Sequence, residues 1–339
     1  MLKKVATLLC IASNVWANAQ LGGESTYQFL NLISSTRQAA LGGKVLTNVD
    51  YDVTQALYNP AAINVEMDNQ LALNYVSHLA GISYGTAAFA HTWDRRTQTF
   101  HAGVTYINYG SFDGYDEEGN ATGTFTGSET ALSLGYAHQL GRSDFYLGGN
   151  LKLITSKLEQ YSSFGVAADL GLLYINDKLD FNAALVIRNF GTQITTYAGT
   201  REKLPFEVAF GMSQLMENVP IRWHLTFENL QEWPISSANP ARETSDLNGN
   251  QTGEKIGFLG QAIRHTIIGV EIFPESGFNI RLGYNFRRGE ELRIVDQRNF
   301  SGLSAGFAIK MKRMRFSYTH AKFTSAANSN FFGLQIDLQ

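Results

Sequence analysis

Residues 278–286 read FNIRLGYNF. Phe278, Ile280, Leu282, Tyr284 and Phe286 share one face of an extended chain, and Asn279, Arg281, Gly283 and Asn285 share the other, because successive strand side chains point to opposite sides. The second face is polar or very small and carries a full charge. Strands of a soluble sandwich also alternate, but they bury the apolar face and are typically about five or six residues long. This run is nine residues long, which suits a membrane-crossing strand of about 9–11 tilted residues. The apolar face is then expected to meet lipid and the polar face to line a lumen.

The pattern recurs along the chain. Alternating runs fall at 70–78, 82–92, 99–109, 129–140, 145–156, 165–175 and 180–188. They continue at 207–214, 221–229, 264–273, 278–286, 301–310, 314–320 and 330–338, fourteen in all. The intervals 93–98, 141–144, 176–179, 215–220, 274–277 and 311–313 are short, whereas 110–128, 157–164, 189–206, 230–263, 287–300 and 321–329 are longer. Only the first connection, 79–81, breaks that order. Short turns at one end and long loops at the other are the outer-membrane barrel pattern, with the turns in the periplasm. The sequence therefore predicts an all-β fold, a transmembrane antiparallel β-barrel of about fourteen strands over residues 70–339. Both barrel ends fall in the periplasm, and the segment preceding the first strand is expected to start on that side too.

Bulk properties agree. The chain has 339 residues, 44% hydrophobic, with 32 glycines, 6 prolines and a net charge of -3. It contains no run of eighteen apolar residues, so no membrane-spanning helix is expected; a barrel hides its membrane signal in alternation. The near-neutral charge gives no electrostatic footprint for nucleic acid.

Residues 1–19 read as a secretion signal: Lys3 and Lys4, a short apolar core at 5–11, then Ala17-Asn18-Ala19 before Gln20. Cys10, the single cysteine, lies inside it, so the mature chain is expected to carry no disulfide and no thiol chemistry. Residues 20–69 do not alternate for long and read as irregular structure with short helices, a segment suited to packing inside a wide barrel as a hatch or plug.

Chemical motifs give little. Gly81-Ile82-Ser83-Tyr84-Gly85 and Gly302-Leu303-Ser304-Ala305-Gly306 match G-x-S-x-G, but a nucleophile elbow needs a strand, a sharp turn and a helix. Here Ser83 opens a strand and Ser304 lies within one, so no enzyme is expected. The histidines lack metal-ligand spacing. Asp246-Leu247-Asn248-Gly249-Asn250 suggests a calcium loop, but Gln251 and Gly257 occupy its glycine and glutamate positions, leaving a solvated turn. Asp113, Asp116, Glu117 and Glu118 read as a solvated acidic tip. Lys152, Glu271 and Arg281 fall on lumen faces, where they are expected to bond to one another or to the plug.

The run Asp52-Val53-Thr54-Gln55-Ala56-Leu57-Tyr58-Asn59-Pro60-Ala61 resembles the hatch signature of FadL-type fourteen-stranded barrels. Residues 27–32 with Ser35-Thr36-Arg37-Gln38-Ala39-Ala40-Leu41-Gly42-Gly43 are similar to the opening of the PorQ family, outer-membrane components of the type IX secretion system of Bacteroidota. Residues 299–304 and 326–334 agree with it, so the likeness spans the mature chain. Gln339 departs from the aromatic ending of many such barrels. The resemblance implies a non-enzymatic, cofactor-free barrel that anchors a PorZ protein in a surface attachment complex with PorU and PorV. That complex trims C-terminal-signal cargo and links it to lipopolysaccharide, with PorU carrying the chemistry. On this reading Arg37, Leu41, Gly42, Gly43, Asn59, Pro60 and Ala61 belong to the plug. The partner surface is expected on the long loops, at Asn239, Asp246, Asn248 and Asn250 and at Tyr197 and Arg201.

Two alternatives stay open. A FadL-like transporter of hydrophobic small molecules would need an apolar pocket, which Phe29, Leu30 and Leu32 could line instead of packing the plug to the wall. A cargo shuttle is what a resemblance to PorV would imply.

Overall fold

The computed structural model describes residues 25–78, 81–94, 98–235, 244–245, 251–252, 256–292, 300–322 and 328–339. The signal region and Asn239, Asp246, Asn248 and Asn250 lie outside the described residues.

Fourteen antiparallel strands close into one barrel, each beside its neighbour in the chain. They are β1 (Gln70–Ser77), β2 (Ser83–Asp94), β3 (Gln98–Tyr115), β4 (Ala121–Gln139), β5 (Phe145–Leu158), β6 (Tyr161–Asn176) and β7 (Phe181–Thr195). The second half comprises β8 (Glu207–Leu215), β9 (Ile221–Phe227), β10 (Thr266–Ile272), β11 (Phe278–Asn285), β12 (Leu303–Met311), β13 (Met314–Ala321) and β14 (Ser329–Asp337). The seam pairs β1 with β14 from Gln70↔Asp337 to Ser77↔Asn330, so the barrel wall has no free edge strand along that length. A separate two-stranded ribbon joins Thr244–Ser245 to Gln251–Thr252.

The alternation of β11 has the direction its sequence requires. Asn279, Arg281 and Asn285 are buried, whereas Phe278 and Leu282 are exposed on the outer wall. Leu73, Phe100, Leu134, Leu151, Leu170 and Phe307 are exposed in the same way. Apolar outside and polar inside is stable only where lipid is the outer solvent.

The wall is uneven in height. Strands β3 and β4 have 18 and 19 residues, whereas β9 and β10 have seven each. Residues 110–128, expected as a loop, are mostly strand: β3 and β4 stay paired as far as Tyr115↔Ala121 and turn at Asp116–Asn120. Residues 157–164 shrink likewise to a tight turn between the paired Leu158 and Tyr161. In the other direction, Arg264 and Phe286 leave the strands assigned to them and belong to helices. The helices are α1 (Thr36–Ala40), α2 (Phe258–Arg264) and α3 (Phe286–Glu291).

The described part of the chain before β1, residues 25–69, is largely buried and packs against the strands. Its secondary structure is brief: α1 and the 3-10 turns Gln28–Asn31, Val53–Leu57, Pro60–Ala62 and Val65–Met67. Asp52, Asn59 and Asn64 cap three of these turns by accepting from the N–H groups of Thr54, Ala61 and Glu66. The direction of travel differs from expectation. Thr26 N–H donates to the Lys203 carbonyl at 2.9 Å, in the long connection between β7 and β8. Asn69 N–H donates to the Ala90 carbonyl at 2.9 Å, near the opposite, short-turn end. The described segment therefore enters at the long-loop end and leaves at the short-turn end.

Candidate functional site: the filled lumen

Three buried charge clusters lie inside the barrel, and two of them join the inward faces of the strands to the enclosed segment. In the first, the Arg37 guanidinium donates through Nε and Nη2 to the two oxygens of Glu271, each at 2.8 Å. Its Nη1 donates to Asp50 at 2.6 Å. Arg281 Nε adds a bond to Glu271 at 2.9 Å, and His224 Nε2 lies 3.3 Å from the same carboxylate. In the second, Lys44 Nζ reaches both Glu207 oxygens at 2.7 Å and Arg188 Nη1 reaches one at 2.9 Å. Arg188 also donates to the Leu30 carbonyl at 3.2 Å, so the cluster holds two parts of the segment. The third lies in the wall: Lys152 Nζ pairs with Asp169 at 2.7 Å and donates to Asn189 at 2.9 Å. Beside it Asn150 donates to the Ala56 carbonyl at 2.7 Å. Buried charges persist when paired and hydrogen-bonded, and removing one partner strands the other at a cost of about 3–5 kcal/mol.

Glu271 and Arg281 are buried and pair with each other, and Glu271 also with the segment, as expected. Lys152 is buried too, but it pairs with Asp169 of the wall. Asp50, Lys44, Asp169, Arg188 and Glu207 were not singled out from sequence. Their one sequence signal is inward parity on an alternating strand, and Asp50 and Lys44 lack even that.

Close approach between segment and wall depends on glycines. A Cβ at Gly283 would collide with the backbone of Leu41 and Gly42, and one at Gly148 with Pro60 and Ala61. Gly42 itself has φ +91, a region that favours glycine. Asn59 Oδ1 accepts from Ala61 N–H at 2.9 Å while its Nδ2 donates to the Leu46 carbonyl at 2.7 Å. Arg37, Leu41, Gly42, Gly43, Asn59, Pro60 and Ala61 are all buried within this contact layer. Phe29 and Leu30 pack with Ile33, Leu57, Tyr58 and Ile107, with Leu32 against them, so these residues pack the segment to the wall.

Two small cavities lie inside, among the described residues. A cavity of about 30 Å³ borders Arg37, Asp52, Asn74 and Arg281, and one of about 20 Å³ borders Phe29, Leu57, Lys152 and Arg188. Small-molecule sites run to roughly 300–1,000 Å³, so each of these holds about a water molecule. A far larger concavity, about 750 Å³, is on the outer wall among Leu73, Tyr75, Phe316 and Phe332.

At the long-loop end, Tyr197 is half-buried, its hydroxyl 2.5 Å from Ser156 Oγ, and Arg201 is exposed. The structure does not bring these two into the charge clusters. Ser304 sits within β12 and donates to the Gly283 carbonyl at 3.4 Å.

No family model and no curated protein matches the chain. Among solved structures, the Ralstonia pickettii toluene transporter TbuX aligns over 90% of this chain and 98% of its own, with a TM-score of 0.55 and 13% identity. A TodX deltaS2S3 mutant monoaromatic hydrocarbon channel aligns over 90% and 97%, at a TM-score of 0.49 and 12% identity. A Pseudomonas aeruginosa FadL homologue aligns over 90% and 98%, at 0.48 and 10%. These neighbours are transporter and channel barrels, and at such identities the likeness is one of fold. By strand count, closure and the TbuX alignment, this chain is a closed antiparallel β-barrel of fourteen strands that shares its fold with TbuX.

Proposed function

We propose that this chain is a sealed, non-enzymatic outer-membrane barrel that anchors a surface protein complex. The observation that carries the reading is the lumen: a segment pinned to the wall by buried ion pairs, beside cavities of about 30 and 20 Å³. An anchor needs a wall and a surface to bind, and it has no use for a passage. The identity of the complex rests on the sequence resemblance at residues 35–43 and 326–334: the attachment complex of type IX secretion, with a PorZ-like protein, PorU and PorV. Tyr197, Arg201, Asn239, Asp246, Asn248 and Asn250 are proposed as parts of the partner surface.

The test is extraction of the tagged native protein in mild detergent, with mass spectrometry of what comes along. Co-recovery of a PorZ-like protein with a PorU-like signal-cleaving protease is the expected result. A barrel recovered alone, with a fatty acid or aromatic hydrocarbon bound, overturns the anchor.

That second outcome is what a hydrophobic transporter would give, a reading favoured by the fold likeness to a toluene transporter. Transport through this lumen requires Arg37 and Lys44 to leave Glu271 and Glu207. Proteoliposomes that admit toluene faster than empty ones would support it.

A further inference from the structure

Helix α2 is inside out by the standard of a water-soluble surface. Gln261 and Arg264 on the helix, with His265 after it, are 7%, 6% and 1% exposed, whereas Phe258, Leu259 and Ile263 are 70%, 75% and 49% exposed. At about 100° per residue, Phe258, Leu259, Ala262 and Ile263 share one arc, and Gln261 and Arg264 fall on the other side. A helix at a water-facing surface turns its polar arc outward. The strands of this barrel show the same inversion, and there the outer solvent is lipid.

Two further observations locate the helix against the bilayer. Strands β9 and β10 have only seven residues each. At about 3.3 Å per residue and a tilt of about 40°, seven residues rise roughly 18 Å, short of the roughly 25 Å apolar band of an outer-membrane barrel. Helix α2 leads through His265 directly into Thr266 of β10, so it continues this sector at its long-loop end. Trp233 then stacks on Phe258 at 4.6 Å and on His265 at 5.1 Å while remaining 41% exposed. A partly exposed tryptophan at the rim of an apolar belt suits the membrane interface. The His265 ring nitrogens lie 2.6 and 3.1 Å from the carbonyls of Glu228 and Trp233, which ties the helix to the end of β9.

We infer that α2 lies in the outer leaflet of the bilayer, with Phe258, Leu259 and Ile263 in the acyl region. It completes the lipid-facing belt above the short sector of the wall. The occupant of this face is membrane lipid, because the helix leads directly into β10, whose lipid-facing side carries Ile268 at 41% exposure. The start of the 230–263 connection and its last turn are thereby held at the membrane surface.

The test uses the whole barrel in phospholipid vesicles, with Cys10→Ala and a nitroxide on Leu259→Cys. Collisions with oxygen and with a water-soluble nickel chelate report depth by electron paramagnetic resonance. The expected oxygen-to-nickel ratio matches that of a label at Leu282 on the outer wall, and is several-fold above that of a label at exposed Glu117. A ratio equal to that at Glu117 places the helix in water and overturns the inference. Low access to both reagents also overturns it, since the face is then covered by a second copy of the chain. Quenching of Trp233 by brominated lipid, with Trp16→Phe, Trp93→Phe and Trp223→Phe, gives an independent reading; absence of quenching again counts against the membrane position.

Discussion

Arg37 and Glu271 stand 234 positions apart in the chain, and they meet in a two-bond fork with both donor–acceptor distances at 2.8 Å. The fork joins α1 of the enclosed segment to β10 of the wall. Because the guanidinium also holds Asp50, one cation bridges two carboxylates, with Arg281 a second donor to Glu271.

Arg37→Ala is expected to lower stability by about 3–5 kcal/mol, since it leaves buried carboxylates under-compensated. Arg37→Met combined with Glu271→Gln should cost less than the sum of the two single changes, with a coupling of about 0.5–3 kcal/mol. Denaturant unfolding followed by gel mobility measures both. Strict additivity would show that the fork contributes no interaction of its own.

Gly283→Leu drives a side chain into the backbone of Leu41 and Gly42. We expect a loss of at least about 1–3 kcal/mol from overpacking, together with conductance steps in planar bilayers where the native protein is silent. Gly277→Ala, where Lys310 Cβ at 4.0 Å is the nearest contact, should behave as wild type. A silent, fully stable Gly283→Leu barrel would mean that the segment yields easily.

The entry of the segment at the long-loop end predicts its labelling. In a Cys10→Ala background, Gln28→Cys, which is exposed, should react on intact cells with a membrane-impermeant maleimide. Glu275→Cys, 74% exposed in a short turn, should react only after the outer membrane is opened. The reverse pattern would invert the assigned orientation.

At the tip of the β3–β4 ribbon, Asp116 accepts from the Asn120 side chain at 3.0 Å and from the Asn120 and Glu118 N–H groups. These bonds, those from Asn120 foremost, hold its carboxyl below its ordinary value of 3.8. A depressed carboxylate stabilises the fold at pH above its unfolded value, and the contribution is lost as pH falls through the folded one. Amide exchange at Gly119 and Asn120 should therefore be protected from neutral pH down to about 4 and rise below it, after correction for intrinsic rates. Asp116→Asn should make that profile flat.

The lipid-facing wall was legible because its chemistry repeats every second residue, as Phe278 to Phe286 shows. The upper β3–β4 ribbon was not. Gly110, Ser111, Asp113, Gly114, Thr122, Gly123 and Thr124 put polar or small groups on both faces, so no hydrophobic alternation marks the strands. Arg264 and His265 read as the start of a strand because they precede a clean run, yet they close an inverted helix whose period spans too few residues to announce itself. The candidate site was legible by parity alone. Sequence shows that Glu271 and Arg281 face inward, but not that Arg37 arrives between them, because that pairing depends on a path through the lumen.

That path also bears on how the molecule is made. Helix α1 and the 3-10 turns before β1 are three to five residues long, too short to persist alone in water. Their partners are made later: Asn150, Glu207, Glu271 and, on the final strand, Gln335, which donates to the Tyr51 carbonyl at 2.6 Å. Residues 25–69 are thus synthesised before their partners and are among the last to become ordered. Protease resistance of residues 25–69 is consequently a clock for closure of the β1–β14 seam.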